Sequence, residues 1–286
     1  MIRSFFFPLL MLVTLLVSTT AFAQAGPTSP PWLGVILADD APTGAGIDDV
    51  IRQSPAARAG IAAGDRILEI NGQTVNSPGK LQMIIRGRQP GQKLALKVAR
   101  GDRILDISLE LVPSPSMNEM LEGHHLGQLA PPFEMQVLGT DAPALPLSSL
   151  VGKPTIIEFW ATWCTPCRAV ARDLTAIQKR HQDKIHIVGL SSEDQSVLDG
   201  YVERNTPTYT VARDIDEGAH KGFLVRSYPV AFLLDAEHRV VGIFTGNDLG
   251  PRLEKALDRL LGEQEKEKGA QGSDSSQSAH PKNSDQ

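Results

Sequence analysis

The sequence predicts two domains in series: a small mixed β-sheet closed by two helices, then an α/β domain built on a central mixed sheet. Three observations carry this. Residues Lys93 to Arg100 alternate polar and apolar at period two, as a half-buried strand does. From Thr155 onward, apolar runs alternate with amphipathic segments, the pattern of strands joined by crossover helices. Between the two patterns lies a Pro/Ser stretch beginning at Pro113, read as a linker over residues 113–125. A chain of 286 residues has room for about two such domains. Its apolar content of 41% lets each bury a core. The net charge of -5 comes from interspersed signs without a basic cluster, so no nucleic-acid partner is expected.

The first residues read as a secretory signal over 1–23. Arg3 supplies a basic start, Phe5 to Val17 is apolar apart from Pro8 and Thr14, and Ala21-Phe22-Ala23 forms a cleavage-like end. The apolar core is short for a membrane span, though an uncleaved anchor is the alternative. No cysteine lies near the cleavage site to carry a lipid. Export would place the chain in the periplasm, where disulfides persist. Residues 24–31 form a Pro/Ser/Gly linker.

The first domain is expected over 32–112. Strands are predicted at Trp32 to Leu37, Ile47 to Val50, Arg66 to Ile70, Lys93 to Arg100 and Ile104 to Leu111. Helices are predicted at Ala56 to Ala59 and Pro78 to Arg86, and turns at Asn71-Gly72, Pro90-Gly91 and Gly101-Asp102. The phrase Ser54-Pro-Ala-Ala-Arg-Ala-Gly-Ile61, followed by Gly64-Asp-Arg-Ile-Leu-Glu-Ile-Asn-Gly72, resembles PDZ domains, above all those of periplasmic serine proteases. That resemblance implies capture of an extended or C-terminal peptide by strand addition. It places the carboxylate loop and edge strand at Trp32, Leu33, Gly34 and Val35, with Gly34 leaving room for the peptide backbone. It places the groove contacts of the helix at Lys80 and Ile84, with Leu81 and Ile85 read as core.

The second domain is expected over 126–262. Its elements are a strand (155–160), helix (165–180), strand (184–190), helix (195–204), extended segment (208–212), short helix (217–224), two strands (230–234 and 240–244) and a closing helix (249–261). Trp163-Cys164-Thr165-Pro166-Cys167 holds both cysteines of the chain and sits where the first strand meets the first helix. A helix N-terminus carries partial positive charge and free N–H groups, which favour a thiolate. A second thiol one turn away can resolve a mixed disulfide. A purely structural disulfide would close too short a loop to stabilise much. Two cysteines without histidines at metal spacing do not make a zinc site, and no metal is expected.

The stretch Phe159 to Arg168 resembles the thioredoxin superfamily. Leu126 to Phe133 and Leu150 to Lys153 are similar to the TlpA-like periplasmic branch. The resemblance implies thiol-disulfide exchange with no cofactor beyond the Cys164–Cys167 pair. It makes Cys164 the exposed nucleophile and Cys167 the more buried resolving thiol. Thr165 and Pro166 tune the pair, Trp163 lies beside it, and Tyr228 and a cis Pro229 face it as substrate contacts. Glu158 interrupts an apolar strand, where a carboxylate is costly without a partner or a task. It is expected to exchange a proton with Cys167, or else to reach solvent or pair with Lys153 or Lys184. Val170 and Ala171 depart from the Glu-Pro that many TlpA-like reductases carry there, which leaves a role in cytochrome c maturation unassigned.

The expected function is that of an exported thiol-disulfide oxidoreductase, in the reducing direction. Its partners would be an exported protein bearing a disulfide or thiols, a peptide at the PDZ-like groove, and a thiol electron donor in the membrane. Two alternatives stand beside it: a PDZ-based binding or chaperone-like protein with a redox-sensing disulfide, and a disulfide oxidase or isomerase. His124 and His125 read as solvated linker residues. Residues 263–286, polar and nearly free of apolar side chains, read as a disordered tail.

Overall fold

The computed structural model describes residues 29–39 and 43–274. The expected signal segment, residues 24–28 of the first linker and the end of the tail (275–286) lie outside the described residues.

The first domain opens with β1 (Pro31–Trp32) and β2 (Val35–Leu37), followed by β3 (Ala45–Val50), α1 (Pro55–Arg58), β4 (Arg66–Ile70), β5 (Gln73–Thr74), α2 (Pro78–Arg86), β6 (Lys93–Arg100), β7 (Arg103–Glu110) and β8 (Val112–Pro113). Its main sheet runs β2-β3-β4-β6-β7, with β5 on β4, so β2 keeps one edge unpaired. Every pairing is antiparallel where a mixed sheet was expected, because no crossover returns a strand in parallel. Leu94, Leu96 and Val98 alternate inward on β6 and meet Ile47, Ile67 and Leu81 in one core.

The strand expected over Trp32 to Leu37 is two pieces. β1 pairs with β8, β2 pairs with β3, and the break falls at Leu33-Gly34. Gly34 has φ +83°, and a Cβ there would lie 2.1 Å from the Ser54 Cβ. Ser54 cannot withdraw: its hydroxyl caps α1 by accepting the Ala57 N–H at 3.1 Å and donates to the Gly34 carbonyl at 3.2 Å. Glycine is therefore required by Ser54 and by the backbone, not by a peptide approaching from the groove.

The second linker is a helix. α3 (Met117–His125) starts with a capping box in which Ser116 and Glu119 satisfy each other's backbone N–H groups. Met117, Met120 and Leu121 share one face, which packs on the core of the second domain. His125 is not solvated: it is 3% exposed, and its ring lies 5.7 Å from that of Phe223 and 5.6 Å from that of Phe232. Its Nε2 has no hydrogen-bond partner, and burial pushes its pKa down to about 4. Next to it, His124 joins the two domains. Its Nδ1 accepts the Arg52 N–H at 3.1 Å and its carbonyl accepts the Arg52 guanidinium at 3.2 Å.

The second domain follows with β9 (Glu134–Val137), β10 (Leu145–Pro146), β11 (Thr155–Phe159), α4 (Cys167–His181), β12 (His186–Ser191), α5 (Gln195–Asn205), β13 (Thr210–Asp214), α6 (Gly218–Gly222), β14 (Val230–Leu234), β15 (Val240–Thr245) and α7 (Leu249–Asp274). The sheet order is β10-β9-β13-β12-β11-β14-β15. β11, β12 and β13 are parallel; β14, β15, β9 and β10 are antiparallel to their neighbours. Ile156, Val170, Leu174, Leu253 and Leu257 fill one face under α4 and α7. Ile157, Phe159, Phe223 and Phe232 fill the other, joined there by Ile51, Trp32 and Ile36 of the first domain. Residues 263–274, expected as the start of a disordered tail, continue α7 through Asp274. Glu, Gln, Lys and Ala favour helix, so the charged segment prolongs a helix already docked through Leu253 and Leu257. Among the described residues no helix is long and apolar enough to cross a membrane.

The buried neutral His125 ties stability to acid. Its folded pKa of about 4 lies below its unfolded value, so the unfolded chain binds more protons between those limits and stability falls as pH drops from 6.5 to 4. His125→Leu is expected to remove up to about 3 kcal/mol of that loss. Thermal unfolding of both proteins from pH 7 to pH 4 checks it; equal acid sensitivity would remove His125 as the cause.

Candidate active site

β11 delivers the reactive loop. Trp160 to Pro166 follow the strand, and α4 begins at Cys167 with Pro166 in the N-cap position, where no N–H is needed. Cys164 and Cys167 form a disulfide. The Cys167 N–H donates to the Cys164 sulfur at 3.3 Å, so the first sulfur faces the free amides of the helix start. Both cysteines are 4% exposed, packed with Trp160, Ala161, Leu138 and Leu198. Cys164 was expected to be exposed and Cys167 more buried; the aromatic and aliphatic wall shields the two equally. Trp163, by contrast, is 70% exposed.

Glu158 sits beneath the pair. Along β11, Ile157 and Phe159 face one core and Ile156 and Glu158 the other, the α4 face. Its register neighbours on either side are Gly189 and Ala231, small enough to leave room for the carboxyl. The side chain is 1% exposed and its Oε1 has no hydrogen-bond partner. It reaches neither solvent nor Lys153 or Lys184. Burial alone pushes its pKa up to about 8, so it is protonated at pH 7. A cavity of about 10 Å³, close to the size of one water, is lined by Glu158, Cys164, Cys167, Arg168, Tyr201 and Tyr209.

Two clamps hold the loop edges, and the contacts of Glu193, Asp214 and His220 in them were not foreseen. Glu193, just after β12, accepts the Thr162 N–H at 2.6 Å and its hydroxyl at 2.7 Å, fixing the backbone two residues before Cys164. On the other side the Tyr228–Pro229 peptide bond is cis. The Tyr228 ring lies 5.7 Å from that of Trp163, and its hydroxyl is 2.9 Å from His220 Nε2. The Nδ1 of His220 meets the buried Asp214 carboxylate at 2.6 Å. Asp214 also accepts the backbone N–H groups of Ala219 and His220, at 2.9 and 2.8 Å. An Asp–His–Tyr chain thus ends beside the reactive loop. Its only sequence signals are an Asp closing a strand and a His on the next helix.

In the first domain a groove of about 530 Å³ lies between β2 and α2. Trp32, Leu33, Gly34 and Val35 line it. The helix presents Leu81, Gln82 and Ile85 rather than Lys80 and Ile84. The register is shifted by one residue, because the positions that complete the core also form the groove floor. The N–H groups of Leu33 and Gly34 meet no acceptor among the described residues. Nor is there a group of three or more His, Cys, Asp or Glu side chains among them that could hold a metal ion.

Residues 31–111 match the PDZ domain family model, and residues 126–243 match that of the AhpC/TSA family. The thioredoxin-like protein YneN of Bacillus subtilis is 29% identical over 135 residues, covering 46% of this chain and 78% of that protein. The thiol:disulfide interchange protein HelX of Rhodobacter capsulatus is 28% identical over 137 residues, 47% of this chain and 76% of its own. The thiol-disulfide oxidoreductase ResA of Oceanobacillus iheyensis is 25% identical over 145 residues, 49% of this chain and 76% of its own. The crystal structure of a putative thiol:disulfide interchange protein DsbE from Chlorobium tepidum aligns at 22% identity over 48% of this chain and 94% of its own, with a TM-score of 0.42. The chain joins a PDZ domain to a thioredoxin-like thiol-disulfide oxidoreductase domain.

The raised pKa of Glu158 sets a stability limit opposite in sign to that of His125. Between 4.5 and about 8 the folded protein holds a proton that the unfolded chain releases, so stability falls as pH rises through that window. Glu158→Gln is expected to relieve as much as about 5 kcal/mol of it. The gain in melting temperature over the parent should be small at pH 5 and grow toward pH 9. A gain independent of pH would mean that Glu158 is not the buried acid.

Proposed function

We propose that this chain is an exported thiol-disulfide oxidoreductase working in the reducing direction, with the PDZ domain recruiting its polypeptide substrate. The observation that carries the redox half is the protonated carboxyl of Glu158 sharing a cavity with Cys164 and Cys167. In the reduced protein the Cys164 thiolate, favoured by the helix start, attacks a substrate disulfide. One sulfur of the substrate bonds to Cys164 and the other leaves as a thiolate that takes up a proton. Cys167 must then lose its proton to attack Cys164 and free the second substrate thiol.

Glu158 can accept that proton only as the carboxylate, so its own proton must first pass to solvent, a step that costs about 1.4 kcal/mol at pH 7 for a carboxyl near 8. The small cavity that Glu158 shares with both cysteines gives the two groups a route for the transfer. The cysteine pair is itself the redox group, and no cofactor is needed. Once oxidised it must be reduced again by a thiol donor. The apolar N-terminal segment with its Ala21-Phe22-Ala23 end supports export to the periplasm, and the reading assigns re-reduction there to a thiol donor in the membrane. Trp163 and Tyr228 border the substrate, while Thr165 and Pro166 set how well the thiolate is held.

Recruitment is supported by three features of the first domain: the unpaired edge of β2, the unaccepted N–H groups of Leu33 and Gly34, and the groove beside them. An extended peptide adds a strand to such an edge, and its terminal carboxylate fits two free amides.

The reduction potential of the Cys164–Cys167 couple, equilibrated against glutathione, tests the direction. The expected value is near that of thioredoxin, about -270 mV. A value near about -120 mV would make the protein an oxidant and overturn the reading.

A further inference from the structure

Two cavities meet at the seam between the domains. The β2–α2 groove is lined by first-domain residues and by one residue of the second, Arg226. Beside the reactive loop lies a second cleft, of about 730 Å³, lined by Trp163, His220 and Tyr228 and, from the first domain, by Ile36 and Asp49. Arg226 lines this cleft too, so Ile36 and Arg226 belong to both cavities. Arg226 stands two positions before Tyr228. A molecule seated in the groove therefore touches the segment that forms the wall of the redox cleft.

The direction of the β2 side chains fits this. Val35 and Leu37 pack into the first-domain core, while Ile36 packs with the second. A strand laid along the free edge of β2 alternates in the same way. One set of its side chains enters the groove toward Leu81 and Ile85, and the other set faces Ile36 and the second domain. Charge names the chemistry. Arg86 and Arg226 on the groove are both exposed and form no ion pair among the described residues, against one acid, Asp39.

We propose that groove and cleft are one binding track filled by a single polypeptide. Its acidic, extended C-terminal tail lies along β2, with an acidic side chain on Arg226, and a cysteine upstream enters the cleft before Trp163. This rests on the recruitment reading above and adds that the captured tail and the reacting cysteine belong to one chain, with Arg226 as the specificity contact between them. β2 with Leu33 and Gly34 spans five residues. At about 3.3 Å per residue, the matching tail occupies about five residues before the chain turns into the cleft. The substrate cysteine thus lies about six residues or more from the C-terminus.

The test uses the reduced full-length protein and synthetic peptides whose single cysteine carries 2-nitro-5-thiobenzoate in a mixed disulfide. Cys164 attacks the peptide sulfur and the yellow thiolate leaves. Cys167, its proton taken by Glu158, then attacks Cys164, and the departing peptide thiolate takes up a proton from solvent, so the two electrons of the dithiol reduce one disulfide. The peptides end in Glu followed by an apolar residue (a panel of Val, Ile, Leu and Phe), with the cysteine eight or two residues from the end and the terminus as free acid or amide. For the distant cysteine, the acid is expected to half-saturate at a concentration about tenfold lower than the amide. That ratio should fall toward one when the cysteine is two residues from the end, and in Arg226→Glu. Calorimetry with the cysteine-free acids separates the failures. Binding without any kinetic advantage overturns the shared track and leaves recruitment standing. No binding by any member of the panel overturns recruitment, and the track with it.

Discussion

The carboxyl of Glu158, sealed under the cysteine pair, is the constraint around which the second domain is arranged. A buried acid without a hydrogen-bond partner is tolerated only when it is neutral, and it is neutral only while water stays out. Gly189 and Ala231 leave it room on either side, Trp160 and the two tyrosines close the cavity from above, and α4 lies across it. The same enclosure explains why Cys164 is as buried as Cys167. A more open nucleophile would admit solvent to the acid below it and lower the pKa that matches it to a thiol.

The domain seam follows from a second economy of burial. α3 alone could not hide Met117, Met120 and Leu121, and the first domain alone could not hide Ile51 and Ile36. Packed together on Phe223 and Phe232, these side chains make one apolar cluster that fixes where the groove stands relative to the reactive loop. A tether of flexible linker would raise the local concentration of a captured substrate only by its length. A packed seam sets direction as well, because β2 is held with its free edge beside the loop that carries Arg226 and Tyr228.

Much of this was legible from residue order, and what was not has identifiable causes. Period two in Lys93 to Arg100 and the apolar run at Thr155 to Trp160 announced strands, because alternation and β-branched runs are local signals. The cysteine motif at a strand–helix junction announced the reactive loop for the same reason. The linker reading of residues 113–125 failed because Pro and Ser, which usually mark loops, here precede and cap a helix start, and three apolar residues at i, i+3 and i+4 were too few to outweigh them. β9 and β10 went unseen since they are short, β9 being held by β13 and β10 by β9. The groove register slipped by one residue because Leu81 and Ile85 serve the core and the groove together, and a periodic pattern cannot tell one use from both.

The two clamps on the reactive loop were hidden for a different reason. Thr162 and Glu193 lie 31 positions apart, and Asp214 reaches Tyr228 only through His220, so neither pairing leaves a pattern along the chain. They act from opposite sides of the disulfide. Glu193 holds the backbone ahead of Cys164, and the Asp214–His220 pair holds the phenol that faces Trp163. Exchange between sulfurs needs the attacking and leaving atoms in line, and that is a demand on position more than on proton affinity. In the proposed reaction Glu158 takes the proton, which leaves the clamps to serve geometry alone. Their charged members stand on β13 and just beyond β12, the two parallel strands flanking β11 on one side, and so the sheet that delivers the cysteines also delivers the groups that steady them.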